Sequence, residues 1–249
     1  MSTPTMISLL PSTDADLARW MLQVWNVDYV ERPHAPIFHI AALQKAGFEA
    51  SDNPGTLIGN TKLAGIDALA KHFDPEPPSG TRLLPDDPSA MLEDAAYYRL
   101  KMGGGVVIWA YFHFMQEKRL VIDSFVTGVP LLECVAVRLG FPFIRKKMTE
   151  VLKLSPQRAA EGMDRVNAGF DKVEALLADG RPYLQGDTLT LLDLAFAASA
   201  APMVLAKGYA GHLPTIDMMP PDLATTINAF RDRPGGAFIQ RLYDTHRTG

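Results

Sequence analysis

Residues 191–205 read Leu-Leu-Asp-Leu-Ala-Phe-Ala-Ala-Ser-Ala-Ala-Pro-Met-Val-Leu, small and apolar on nearly every helical face. A helix with no polar face has to be buried. This stretch therefore places a helix at the centre of a domain and requires other elements around it. Water cannot reach the ends of such a helix, so nearby side chains must satisfy its first amides. Thr190 and Asp193 stand at the spacing of a Thr-x-x-Asp capping pair, the carboxylate reaching back to the Thr190 amide. An acid in the first turn also complements the helix dipole. These features define a scaffold rather than an activity.

The two ends of the chain differ in grain. Residues 1–73 alternate short elements. Residues 5–10 form an apolar run between Pro4 and Pro11, as a strand does, and residues 15–25 carry Leu17, Met21, Val24 and Trp25 at helical spacing. Ser12, Thr13 and Asp14 are N-cap candidates for that helix. Residues 27–31 read as a second strand and 37–46 as a helix closed by Gly47. Residues 56–58 and 61–63 form a hairpin around Gly59-Asn60, followed by a helix over 64–73. The order β-α-β-α-β-β-α is that of a thioredoxin-like domain. Pro75, Pro77, Pro78, Pro85 and Pro88 then exclude helix and central strand and mark a linker. Beyond it the grain is helical. Helices are predicted over 90–115, 130–139, 143–154, 156–178, 191–205 and 221–231. Gly103-Gly104-Gly105 interrupts the first of these and signals a kink or a close backbone approach.

Composition narrows the function classes. A net charge of −4 and a pI near 5.9 argue against a nucleic-acid or anionic-membrane binder. No apolar run approaches the roughly 18 residues of a membrane span, and Met6–Leu10 is too short for a signal peptide core. Cys134 is the single cysteine, set among Leu131, Leu132, Val135 and Val137; it reads as a core thiol and allows no CxxC pair. The histidines show no metal-ligand spacing, so no metal is expected. Arg145-Lys146-Lys147 reads as a solvated face. The expectation is a cytoplasmic protein.

The run from Gly180 to Leu194, GRPYLQGDTLTLLDL, resembles the buried-helix signature "GRPYLxGDxLTxADL" of the glutathione transferase superfamily, and the chain looks like a divergent, bacterial-like cytosolic member. The resemblance implies an α+β fold: a thioredoxin-like glutathione-binding domain (1–74), a Pro-rich linker (75–89) and an all-helical domain (90–249). It also implies a homodimer with glutathione as co-substrate and a detoxification role. The N-terminal pattern "SPYxRKVRxAL" matches at Ser12 and Arg19, with Thr13 and Asp14 replacing the proline and the aromatic. By resemblance, the Ser12 hydroxyl would hold the glutathione sulfur as thiolate; as a residue it reads equally as a helix cap. The pattern "VPxLxDGxxxLxESxAI" places Pro54 on a cis-proline and lets the Asn53 backbone contact the cysteinyl unit. The Glu-Ser pair that grips the γ-glutamyl carboxylate is replaced by Gly65-Ile66. Losing a charge-assisted contact of that kind costs about 1.5–3 kcal/mol. Asp67, Asn60 and Lys62 are candidate replacements. Tyr97, Tyr98 and Lys101, on an aromatic-rich helix, would line the site of a small hydrophobic substrate; as residues they read also as core and interface packing. Two functions follow. One is an enzyme conjugating the glutathione thiolate to a hydrophobic electrophile; the other is a non-catalytic binding or scaffold protein with a degenerate glutathione site. A redox enzyme is disfavoured because the first helix has no cysteine.

Overall fold

The computed structural model describes residues 2–247. Its first third is β1 (Thr5–Leu9), α1 (Thr13–Val24), β2 (Val30–His34), α2 (Phe38–Lys45), β3 (Gly55–Ile58), β4 (Thr61–Ala64) and α3 (Gly65–Phe73). The strands make one sheet in the order β2-β1-β3-β4, with β1 parallel to β2 and antiparallel to β3. The thioredoxin-like order expected above is therefore present. One correction concerns β2, which begins three residues later than its apolar residues suggested. Pairing with β1 sets Thr5 opposite Val30 and Leu9 opposite His34, and Pro33 is tolerated because β2 is an edge strand.

No helix or strand lies between Phe73 and Ser89. Buried Asp74 holds this segment: its carboxylate accepts from the Trp25 indole at 3.1 Å and from the Leu84 amide at 3.2 Å. The helical region follows with α4 (Ser89–Ala96), a π-helical stretch (Tyr97–Met102) and α5 (Gly103–Phe114) in one continuous run, then α6 (Lys118–Val126), α7 (Leu131–Leu152) and α8 (Pro156–Leu177). It ends with α9 (Leu191–Val204), a short 3₁₀ turn (Ile216–Met218), α10 (Pro221–Arg231) and α11 (Pro234–His246).

Every residue of α9 is buried, as its composition demanded. Asp193, wholly buried, accepts from the Thr190 amide and hydroxyl, each at 2.8 Å, and from the Leu184 amide at 2.7 Å. Burial pushes its carboxyl above the usual range, and these three donors pull it partly back. The glycine run meets a neighbour closely: a Cβ on Gly105 would sit 2.6 Å from the Gly162 carbonyl oxygen, so α5 and α8 touch backbone to backbone. The helical and sheet regions join through α1, which packs on α9 and buries Asp16. The Asp16 carboxylate accepts from the Tyr243 hydroxyl at 2.7 Å and pairs with Arg247 at 2.8 Å.

The two helices expected over 130–139 and 143–154 are one, α7, running through Pro142. Proline leaves the carbonyl four residues earlier, that of Arg138, without its helical donor. The Lys118 ammonium supplies a substitute at 2.7 Å. Cys134 sits half-buried on this helix as a free thiol.

Candidate functional site

Three chain segments converge beside the sheet: the β1–α1 turn, the turn before β3, and the start of α3. At the first, Ser12 caps α1, its Oγ accepting from the Ala15 amide at 3.3 Å. The same oxygen accepts from Asn53 Nδ2 at 2.8 Å, while Asn53 Oδ1 accepts from the Leu9 amide at 2.7 Å. Both lone pairs of the Ser12 oxygen are thereby engaged, and the hydroxyl proton is the group left to act as a donor. Capping and donation are thus compatible in one hydroxyl. Each donor that Ser12 accepts also polarises its O–H, so it donates more strongly.

Asn53 precedes a cis peptide bond to Pro54, the isomer expected at this X–Pro bond. Pro54 leads into β3, and its carbonyl accepts from the Gly65 amide at 3.0 Å. The α3 N-terminus is thereby drawn against the turn. Gly65 has φ +70°, a left-handed conformation that glycine adopts without strain, and open space where a Cβ would stand. The next amides, from Ile66 onward, head a nine-residue helix, where first-turn N–H groups lack helical partners and favour an anion. The Ile66 side chain points the other way, into the core at 1% exposure. Gly65-Ile66 therefore offers a carboxylate its backbone alone.

Arg99, from the π-helical stretch, joins two of these segments. It makes two hydrogen bonds to Asp14 of α1, each 3.0 Å, and one to Asp67 of α3 at 2.8 Å, with its own side chain 9% exposed. Asp67 is thus committed to Arg99, and Lys62 to the Gly47 carbonyl at 2.9 Å. Asn60 stands in the exposed β3–β4 turn. Sequence reasoning passed over Arg99 because it sits among Tyr97, Tyr98 and Lys101, and only the folded chain brings Asp14 and Asp67 to it. Arg19, the other match to the N-terminal pattern, is buried in an ion pair with Glu31 at 2.7 Å and belongs to the scaffold.

A small apolar cavity of about 50 Å³ is walled by Pro11 and Thr13, the sequence neighbours of Ser12, and by Tyr111, Phe114, Val121 and Leu213. Its long-helix wall comes from α5. Tyr97, Tyr98 and Lys101 are not in its lining. Tyr98 is core, edge-on to Phe196 at 5.5 Å, and burial raises its phenol to about 12. The Tyr97 ring lies under the Lys172 ammonium of α8 at 4.1 Å. Helical phase explains this. Tyr111 is more than three turns further along, where the helix has rotated past the π-helical stretch to face α1 and α6. Burial pushes the Tyr111 phenol upward as well, so it stays a protonated donor at neutral pH. Tyr209 shares the lining, its hydroxyl donating to the Pro11 carbonyl at 3.0 Å. No group of three or more metal-ligating side chains clusters among the described residues. None of their helices is long and apolar enough to cross a membrane.

No protein-family model matches this sequence, and no curated protein matches it. Solved structures do. A glutathione S-transferase of Ceriporiopsis subvermispora, in complex with glutathione, superposes with a TM-score of 0.64 at 12% identity, covering 100% of this chain and 99% of that one. A glutathione transferase of Phanerochaete chrysosporium gives 0.62 at 14% identity, covering 100% and 99%. A beta-etherase of Sphingobium sp. strain SYK-6 gives 0.55 at 17%, covering 96% and 99%. The chain has the glutathione transferase fold: a thioredoxin-like region followed by an all-helical one.

Proposed function

We propose that the protein is a glutathione transferase that conjugates the glutathione thiolate to a hydrophobic electrophile. The observation carrying this reading is the Ser12 hydroxyl, accepting from Ala15 and Asn53 and left with its proton to donate, next in sequence to Pro11 and Thr13 of the apolar cavity wall. Ser12 would donate to the sulfur and favour its anion. A free thiol titrates near pH 8.5, so stabilising the thiolate raises the reactive fraction at neutral pH. The α1 N-terminus works in the same direction. The Asn53 backbone beside Pro54 would contact the cysteinyl unit, and the Gly65-Ile66 amides at the head of α3 the γ-glutamyl carboxylate.

The chemistry needs no metal. The thiol proton leaves to solvent, sulfur attacks the electrophilic carbon, and a C–S bond forms as the leaving group departs or a double bond accepts the electron pair. Positioning plus thiolate stabilisation would carry the rate. A cytoplasmic location and a role in clearing reactive compounds accord with this reading. The second reading is a non-catalytic binding protein on the same fold. It is favoured by the Ile66 side chain lying in the core, where it contributes no hydroxyl to a ligand. Titration with glutathione separates the two: heat of binding at millimolar ligand supports the transferase, and its absence refutes it.

A further inference from the structure

Glu133, in the first turn of α7, reaches back to the far end of β2, and each of its carboxylate oxygens takes one partner there. Oε1 bonds His34 Nδ1 at 2.6 Å, and Oε2 accepts from the Ala35 amide at 2.9 Å. The Glu133 and His34 side chains are 13% and 18% exposed, and Ala35 is fully buried. An exposed ion pair contributes little, but this one satisfies a buried amide that water cannot reach.

The segment so held has little support of its own. Ile37 heads α2 with φ +77° and ψ −45°, a strained conformation for a β-branched residue that persists only where neighbours impose it. No side chain caps α2, which is eight residues long and fully buries Leu43 alone. His39 Nδ1 is buried without a hydrogen-bond partner among the described residues. The same segment also touches the site. The His34 carbonyl accepts from the Leu10 amide at 3.1 Å, and the Leu9 carbonyl accepts from the Ser12 amide at 3.1 Å. The end of β2 thus anchors the backbone two residues before Ser12.

We propose that Glu133 is a positioning residue of the glutathione site: it clamps the β2–α2 segment and, through the His34–Leu10 bond, sets the turn that presents the Ser12 hydroxyl. The use made of Ser12 rests on the transferase reading; the clamp itself does not. Glu133 touches no reacting atom and acts through His34 and Ala35. Without its carboxylate the Ala35 amide is left unpaired, and the strained turn at Ile37 is free to relax. The Leu10–His34 bond then loosens. A hydroxyl that stabilises a thiolate depends on the length and angle of one hydrogen bond, so a small shift of its backbone is felt in the chemistry.

The test is amide hydrogen exchange on the full chain without ligand, with the pH profile of kcat/KM for glutathione and a model aromatic electrophile beside it. The variants are Glu133→Ala and Glu133→Gln. Arg233→Ala, which breaks an ion pair with Glu174 in the helical region, controls for lost stability. In Glu133→Ala the amides of Leu10, Ala35 and α2 should exchange about 10–100-fold faster, as local opening becomes easier. Glutamine keeps the contact, its oxygen accepting from Ala35 and its amino group donating to His34 Nδ1, so Glu133→Gln should exchange as wild type does. Arg233→Ala should lower the melting temperature and leave these amides unchanged. At pH 7 Glu133→Ala should lose about tenfold in kcat/KM, with the profile displaced toward higher pH and restored in Glu133→Gln. Unchanged exchange at Leu10, Ala35 and α2 in Glu133→Ala overturns the clamp, whether or not glutathione binds. Faster exchange with a wild-type profile overturns the positioning role, as does a profile displaced equally in Glu133→Gln. A wild type with no glutathione turnover overturns the transferase reading instead, and the exchange arm still decides the clamp.

Discussion

Ser12→Ala removes one oxygen with two structural duties and one proposed chemical duty, and the three separate in size and in readout. The cap contact to Ala15 is worth about 1 kcal/mol. Leaving Asn53 Nδ2 without its acceptor adds about 0.5–1 kcal/mol, modest because Ser12 is only half-buried and water replaces it. At roughly 2–4 °C per kcal/mol for a chain of this size, the melting temperature should fall by about 3–8 °C. If the hydroxyl also donates to the thiolate, a charge-assisted bond of about 1.5–3 kcal/mol is lost. That raises the thiol pKa by roughly 1–2 units at 1.36 kcal/mol per unit. The assay is kcat/KM with glutathione and a model aromatic electrophile from pH 5.5 to 9.5. The variant should be about 10–100-fold slower at pH 7, with the profile displaced toward higher pH and the rates converging at the alkaline end. Ser12→Gly isolates the chemical part, since glycine costs only a few tenths of a kcal/mol as a cap but has no hydroxyl. It should show the same displaced profile with a smaller melting shift. A profile that coincides with wild type in both variants removes Ser12 from the chemistry and leaves it as a cap.

Two further predictions follow from packing and burial. Gly105→Ala should destabilise the chain by about 2–3 kcal/mol in thermal or urea unfolding, because its Cβ would press on the Gly162 backbone. Gly104→Ala, whose Cβ would meet nothing within 4 Å, should be neutral or stabilising by up to about 1 kcal/mol; equal effects at the two positions would contradict the α5–α8 contact. Burial lowers the His39 pKa below 6.5 in the folded chain, as it does for His113 and His246. The unfolded chain then binds more protons below pH 6.5, so stability is full above that pH and is lost as pH falls through the window beneath it. The melting temperature should drop between pH 7.5 and 5.5, and His39→Gln should flatten that drop; an identical slope in the variant would remove His39 as a contributor.

Much of the scaffold was legible because its signals are local. The buried helix announced itself by lacking a polar face, its cap by Thr190 and Asp193, and the linker by its prolines. What escaped depended on partners distant in sequence. Pro142 reads as a break, and only Lys118 reaching the Arg138 carbonyl lets α7 continue. α11 was hidden by Gly235 and Gly236, which permit its N-terminus to meet Phe170 and the Phe230 carbonyl. α6 is nine residues and mostly buried, too short to show a helical period. The site divides the same way. Ser12, Asn53 and Pro54 were named through the resemblance, and the hydrogen bond from Asn53 to Ser12 at 2.8 Å is a contact that no spacing carries. The Arg99 bridge and the Tyr111 wall required the rotation of a long helix, which a list of aromatic residues does not carry.

The central claim is that the Ser12–Asn53 pair and the α3 N-terminus together form a glutathione site despite Gly65-Ile66. Calorimetric titration of the full chain with glutathione at pH 7 tests it directly. The loss of the Glu-Ser grip weakens binding by about ten- to a hundredfold relative to a site with the full pair, at 1.4 kcal/mol per decade. The account predicts saturable binding, one glutathione per chain, in the sub-millimolar to millimolar range. No heat of binding at 10 mM glutathione would contradict it.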